Sequence, residues 1–487
     1  MPTSDSRPNI LVITADQWRG DCLGCRRTPH PVMTPHADQL AAEGVLFTQA
    51  YSACPVCMPN RLTTLTGRSA SRLGVTTNFM QGPRPPVDSA RTLPARLTRE
   101  AGYQTKAVGK MHFFPDRARY GFEHVTLHPN DYVNWLEDQG YGGFYRGHGL
   151  GGNEVYPAVS AVPERYTHTH WIIDEAIRFI GARDPEHPFM LWIVFEAPHS
   201  PFDPPAPYDR MYDNLTIPDP VRGAWLDGPD APAYFAQMRL VHNLDYVTPE
   251  VIRESRRRYY GQVSHIDYQL GRLLGELRTR GLYDDTAVVF TADHGEHLGD
   301  HGVFGKTTYL NGSAQVPLIV RPPRNPSDTS RARVVDAPVM TADICPTLLA
   351  LAGLDVEGEI DGRSLVPVLT GAEADGDRTI FGECGGHTFA TDGRFKYCHY
   401  RTGGAEQLFD VAADPDDLTD LSGDPQHADT MAALRAELIE HLTSLGRPLV
   451  EDGAGVVAPA GDDSGALRAR NPFAWRGPMR YGQGYTG

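Results

Sequence analysis

The sequence predicts an α/β protein: a large, mostly parallel sheet sandwiched by helices, with a smaller C-terminal α+β domain carrying an antiparallel sheet. Three observations predict it. Short apolar runs alternate with segments of helical periodicity through residue 353. The near-continuous apolar character of those runs suits strands covered on both faces. Beyond residue 372 the texture changes to short strand-like pieces separated by turn residues.

Taken in order, NILVITAD (9–16) reads as a buried strand and HADQLAAEGVLF (36–47) as a helix. WIIDEAIRFIGA (171–182) is helical, and FMLWIVFEAPH (189–199) is a strong strand. Residues 254–281 form a long helix, with basic residues on the outer face and Gly281 as its stop. TAVVFTADHG (286–295) and VPLIVRP (316–322) are further strands, and TADICPTLLALAG (341–353) is a helix. GAEADGDR (371–378) reads as a linker. TIFGEC, TFATDG, FKYCHY and EQLFDV then read as strands, followed by a helix at roughly 425–445. The expected units are a catalytic domain at 1–372, a small domain at 373–446 and an arm at 447–487. The aromatic, Gly-rich end of that arm (470–487) is expected to pack on a second copy, making a homo-oligomer.

Composition bounds the function. Forty-five basic against 61 acidic side chains leave a net charge of -16. That balance argues against a nucleic-acid or anionic-membrane surface, though not against a local anion site. Seven cysteines in 487 residues imply no disulfide framework. The N-terminus lacks a basic segment followed by a long apolar one, and no apolar run reaches the ~18 residues of a membrane span. A soluble, cytoplasmic protein is expected.

Two strands end alike: LVITAD at Asp16, followed by Gln17, and VVFTAD at Asp293, followed by His294. Ligands bind beyond the carboxyl ends of strands in open α/β sheets. Two carboxylates, an amide and an imidazole arriving there suit a hard or borderline divalent cation. In CPVCMPNRLTTLTGR (54–68), Pro59 falls where a helix begins and Gly67 where it stops. Cys57 therefore sits just before a helix N-terminus, a position that activates a nucleophile. Cys54 lies three residues earlier, so a redox pair or a structural metal pair is the competing reading. Lys110, His112, His199 and Lys306 each follow an apolar run and together would ring one crevice with cations, a layout for a tetrahedral anion.

These residues carry a resemblance. The chain resembles the type I, formylglycine-dependent sulfatases of the alkaline phosphatase superfamily. The C-x-P-x-R…T-G-R pattern is present as Cys57, Pro59, Arg61, Thr66, Gly67 and Arg68. GYQTKAVGKMH, PHSP and DHGEHLGDHGVFGK match further family motifs, in order, and TPHADQLAAEGVLF and VPLIVRPP are family-like. The resemblance covers residues 8 to about 370 and, more weakly, the stretch EQLFDVAADPDDLTDL.

It implies a sulfuric ester hydrolase acting on a small-molecule sulfate ester. Cys57 would be oxidised to formylglycine by a formylglycine-generating enzyme that reads Pro59 and Arg61. One hydroxyl of the hydrated aldehyde attacks sulfur, and the second lets sulfate leave. The resemblance makes His199 the donor to the leaving alcohol and His112 the base. Lys110 and Lys306 hold the sulfate oxygens, and Arg61 stabilises the diol. Asp16, Gln17, Asp293 and His294 hold one divalent cation, Ca²⁺ first, with Mn²⁺ or Mg²⁺ as alternatives. Asn78 falls where related enzymes place an amide near the substrate.

Gln17 and His294 depart from the commoner Asp and Asn, as in the phosphonate monoester hydrolase and choline sulfatase branches. A phosphonate monoester or phosphodiester hydrolase is therefore the alternative. Those phosphonate enzymes lack the Lys-x-His motif that Lys110 and His112 keep here, so sulfate is favoured.

Overall fold

A computed structural model describes residues 7–78, 85–324 except 243, and 333–447 except 357 and 402, with strand pieces at 450–451 and 454–456. Fourteen strands precede those pieces: β1 (Asn9–Asp16), β2 (Val45–Phe47), β3 (Ala50–Tyr51), β4 (Gln104–Gly109), β5 (His124–Leu127), β6 (Phe189–Pro198), β7 (Thr286–Ala292), β8 (Leu318–Arg321), β9 (Arg333–Val335), β10 (Val339–Met340), β11 (Ile380–Cys384), β12 (His387–Thr391), β13 (Phe395–His399) and β14 (Glu406–Asp410).

Eight of them make one sheet in the order β5-β4-β6-β1-β7-β8-β2-β9. The five from β5 to β7 run parallel. β8 is antiparallel to both its neighbours, and β2 pairs parallel with β9. Every residue of β6 and β7 is buried, so both faces of the sheet are covered. The helices Pro35–Glu43, His168–Ala182 and Pro249–Thr279 pack on one another in one group. The helices Cys57–Thr66, Leu93–Ala101 and Ile344–Leu351 form a second group. This is the predicted α/β sandwich.

Boundaries moved for local reasons. The helix expected at 36–47 ends at Glu43, and Val45–Phe47 becomes β2. Gly44 makes the change because β8 passes close by: a Cβ there would lie 2.6 Å from the Val320 carbonyl. The long helix starts at Pro249, five residues before the expected 254, because the Thr248 hydroxyl accepts from the Val251 N–H and Pro249 is free to occupy the first turn.

Strands β11 to β14 form an antiparallel sheet, followed by the helix Ala428–Ser444. Leu434, Leu438 and Leu442 of that helix bury Ala390, Tyr397 and Leu408. The other face joins the main core, where Phe389 stacks on Tyr309 with ring centroids 4.2 Å apart. Buried Lys396 also ties the two parts, donating to Asn311 Oδ1 at 2.6 Å and pairing with Asp417 at 2.8 Å. The 470–487 tail, expected at an oligomer interface, lies outside the described residues. No helix among the described residues is long and apolar enough to cross a membrane.

Candidate active site

Four adjacent parallel strands, β4-β6-β1-β7, deliver side chains to one crevice at their carboxyl ends. β4 hands over to Lys110, β6 to His199, β1 ends in Asp16 and Gln17 follows, and β7 hands over to Asp293 and His294. Two backbone features set these turns. Gln17 has φ 74°, in the left-handed region, and its N–H donates to Asp293 Oδ1 at 3.1 Å. Gly109, at φ 106°, presses so close to β6 that a Cβ would sit 2.0 Å from the Val194 carbonyl. Only glycine fits there, and Lys110 is thereby turned into the crevice.

The helix Cys57–Thr66 points its N-terminus at the same place, and all ten of its residues are buried. It begins at Cys57 itself, not at Pro59 as the sequence suggested. Pro59 occupies the first turn, where a missing N–H costs nothing. Gly67 ends the helix at φ 68°, as expected, donating its N–H to the Thr63 carbonyl. Asn78 Oδ1 accepts the Met58 N–H at 3.0 Å and so caps the helix from outside.

Cys57 Sγ lies 3.4 Å from His294 Nε2 and 3.8 Å from Asp16 Oδ1, and His112 acts on the thiol from beside it. Arg61 clasps both carboxylates: Nη2 donates to Asp16 Oδ2 at 2.8 Å and to Asp293 Oδ2 at 2.6 Å, Nε donates to Asp293 Oδ2 at 2.9 Å, and Nη1 donates to the Lys110 carbonyl. Lys110 Nζ is 2.6 Å from Asp16 Oδ2. Lys306 Nζ donates to Gln17 Oε1 at 2.8 Å and to His199 Nε2 at 2.7 Å. His199 Nδ1 faces the Ser200 carbonyl at 2.8 Å, which places its proton on Nδ1. The structure thus gathers Asp16, Gln17, Cys57, Arg61, Lys110, His112, His199, Asp293, His294 and Lys306. Asn78 meets the first turn of the helix through the Met58 N–H, one residue from Cys57.

The charges respond to one another. Burial pushes the Asp16 carboxyl up, but Lys110, His199, Arg61 and Lys306 outweigh it and hold the group well below the usual range. Burial and the Asp16 charge push Asp293 up. Burial lowers the His294 imidazole, Asp293 overrides it, and the ring is held above its ordinary value. Burial and then Asp16 raise the Cys57 thiol, yet Lys306, His294 and His112 bring it well below normal. The pocket is built to carry an anionic atom at position 57.

Donor chemistry fits a divalent cation. Ligand atoms of Asp16, Cys57, Asp293 and His294 all lie within 4.8 Å of one another. Arg61 takes Oδ2 of each carboxylate, which leaves the two Oδ1 atoms facing His294 Nε2 at 3.4 and 3.6 Å. His294 Nδ1 points to the Gly295 carbonyl, so Nε2 offers its lone pair inward. Cys54 sits apart: buried, free, and donating to the Thr76 carbonyl at 3.5 Å. Cys54 and Cys57 form no disulfide.

Two residues escaped sequence reasoning. Glu196, inside β6, pairs with Arg146 at 2.8 Å, accepts from the Tyr145 hydroxyl at 2.5 Å and lies 3.7 Å from Lys110 Nζ. A lone carboxylate in an apolar strand was the signal that could have exposed it. Glu296, within the quoted DHGE, is buried and accepts from Gln17 Nε2. Beside His199 the surface dips between Tyr145, Arg146, His168, Ser200, Asp203 and Gln262.

Fold and crevice together define a hydrolase of the alkaline phosphatase superfamily. The family model Sulfatase matches residues 8–354, and the chain belongs to the sulfatase family. A second model, N-sulphoglucosamine sulphohydrolase, C-terminal, matches residues 299–444. The chain is 32% identical to an arylsulfatase of Clostridium perfringens, covering 90% of this chain and 94% of that protein. It is 29% identical to a choline-sulfatase of Rhizobium meliloti, over 88% and 85% of the two chains. The solved structure of a phosphonate monoester hydrolase of Agrobacterium radiobacter superposes with a TM-score of 0.78 at 30% identity, over 93% of this chain and 100% of that one.

Proposed function

We propose that the chain hydrolyses sulfate monoesters of small molecules, with Cys57 matured to formylglycine and one divalent cation held by Asp16, Gln17, Asp293 and His294. The observation that carries the reading is the position of Cys57. It heads a buried helix, with its side-chain atom against Asp16 Oδ1 and His294 Nε2 and inside the reach of His112. Ca²⁺ suits the carboxylate and amide oxygens, and the imidazole leaves Mn²⁺ or Mg²⁺ open.

Formylglycine, hydrated, supplies a nucleophilic hydroxyl and a second hydroxyl through which sulfate can be released without direct attack of water. A bound cation supplies charge that lowers the nucleophile's pKa and draws charge from the ester oxygens. The protein's own groups do the rest. The helix N-terminus faces the side chain of residue 57, and Arg61 fixes the two carboxylates around it. His112 lies beside that side chain and would take its proton. Lys110 and Lys306 each keep an ammonium in the crevice for the sulfate oxygens. His199 Nε2, which accepts from Lys306, lies on the side of the dip where an alcohol would leave. His199 would protonate the leaving oxygen from Nε2, taking that proton from the Lys306 ammonium, which then regains one from water.

Cys57 is 1% exposed, so a formylglycine-generating enzyme must reach it before the helix packs. The test is a peptide mass spectrum over Cys57 from protein made with that enzyme present. Loss of sulfur with gain of an aldehyde oxygen supports the reading. An unmodified thiol, where a control sulfatase is converted, refutes it.

A second reading, a phosphonate monoester or phosphodiester hydrolase, is favoured by the Asp16, Gln17, Asp293, His294 set and by the fold likeness at 30% identity. Relative rates on sulfate and phosphonate esters of one leaving group separate the two. A large excess for the phosphonate would displace the sulfatase reading.

A further inference from the structure

We infer that Glu296 is a positioning residue: its carboxylate decides which atom Gln17 offers to the cation and fixes the loop that carries Lys306. The first half rests on the proposed role of Gln17 as a ligand. Gln17 Nε2 donates to Glu296 Oε2, while Gln17 Oε1 accepts from Lys306 Nζ at 2.8 Å. Turning the amide over would set its NH₂ against an ammonium and its oxygen against a carboxylate. Donor would meet donor and acceptor would meet acceptor. One orientation remains, with the oxygen on the side of the crevice. That orientation is the one a ligand needs, because an amide oxygen binds a hard cation and an amide NH₂ does not.

Glu296 performs the second task with its other oxygen. Oε1 accepts the Leu298 N–H at 2.9 Å and the Gly305 N–H at 2.5 Å, closing the loop between His294 and Lys306. The His297 N–H donates to the Gly305 carbonyl at 2.8 Å across the same loop. Glu296 is 1% exposed, so water does not substitute for these contacts. One buried carboxylate therefore couples the amide after β1 to the ammonium of Lys306, 289 positions further along the chain.

The test exchanges the two functional groups. Titration calorimetry of the metal-stripped full chain with CaCl₂ and MnCl₂ compares wild type, Gln17→Ala, Glu296→Gln and a double variant that combines Gln17→Glu with Glu296→Gln. In Glu296→Gln the new amide keeps its oxygen on the two backbone N–H groups and turns its NH₂ toward Gln17. Gln17 must then flip, and affinity is expected to fall roughly 10- to 100-fold. In the double variant the carboxylate introduced at position 17 accepts from that NH₂ and still presents an oxygen, so about tenfold or more of the loss should return. Unchanged affinity in Glu296→Gln overturns the inference. So does a double variant that binds as weakly as the single one. If Glu296→Gln alone does not fold, a double variant that folds and binds upholds the inference, and one that does not overturns it. Full affinity in Gln17→Ala would instead refute Gln17 as a ligand, a separate failure that removes the premise.

Discussion

Removing the Arg61 guanidinium by Arg61→Ala should destabilise the metal-free protein far more than the metal-bound one. Arg61 is 1% exposed and lies between two carboxylates that are 0–1% exposed. After truncation Asp16 keeps Lys110 at 2.6 Å, but Asp293 keeps no permanent cation, only the His294 imidazole at 3.6 Å and the backbone N–H groups of Gln17 and His294. One buried carboxylate is thus orphaned, a loss of ~3–5 kcal/mol. A divalent cation placed among the Oδ1 atoms would replace the missing charge, and with the guanidinium gone it should bind at least tenfold tighter, returning about 1.4 kcal/mol or more. Melting temperature is a poor probe: 487 residues at about 2.1 cal/mol/K each give only ~1 °C per kcal/mol. Urea midpoints, with and without saturating CaCl₂, are the assay, since guanidinium chloride would screen the charges. A metal-free loss below about 1 kcal/mol, or an equal loss in both conditions, would refute the charge-replacement reasoning.

Three further outcomes are expected. Glu196→Gln loosens the second anchor of Lys110 and should lower kcat/KM roughly ten- to a hundredfold, the equivalent of the ~1.5–3 kcal/mol of one charge-assisted contact; steady-state kinetics showing no change would mean that Asp16 alone holds Lys110. Asp361 is pushed up by burial but held below the usual carboxylate range by Arg72 and the Ser69 N–H, so its stabilisation is present above pH ~4 and lost as pH falls through the folded value; Asp361→Asn should cost about 1–3 kcal/mol at pH 7 by urea denaturation, with the gap to wild type closing toward pH 3. Deleting residues 470–487 should lower the solution mass measured by light scattering, and an unchanged mass would remove the tail from the oligomer contact.

What the sequence made legible was whatever repeats locally. β1, β6 and β7 are long apolar runs, and their ends carry Asp16, His199 and Asp293 into view directly. The helix after Cys57 announced its end by Gly67. What stayed hidden depends on distant partners. β2, β5 and β9 have three or four residues each, too few to show a period, and they exist because β8 and β4 pair with them or with their neighbour. The antiparallel turn of β8 leaves no mark on its own residues. Glu196 was masked by the apolar run around it, since its partners at 110, 145 and 146 lie 50 or more positions away. Nor does anything in the sequence show that the Asn78 oxygen accepts the Met58 N–H.

The crevice also bears on sulfate against phosphonate. Asp16, Asp293, Glu196 and Glu296 contribute four negative charges, and Arg61, Arg146, Lys110 and Lys306 four positive ones, so the site is neutral with its histidines neutral, and +2 with a divalent cation. In a protein of net charge -16, a site that a divalent cation would tip positive suits the proposed anionic ester. Sulfate monoesters, phosphonate monoesters and phosphodiesters are all monoanions, so this charge does not choose between them. Shape and donor count must. A sulfate monoester presents three terminal oxygens, whereas a phosphonate monoester trades one for a carbon substituent that wants an apolar wall. The groups proposed to meet the anion are the ammonium ions of Lys110 and Lys306 and the imidazoles of His112 and His199. Each is polar, and a carbon substituent would desolvate at least one of them without a compensating hydrogen bond, at about 1–3 kcal/mol. On the proposed site, that difference would favour the ester with the third oxygen by roughly ten- to a hundredfold, and the rate comparison on the two esters measures it.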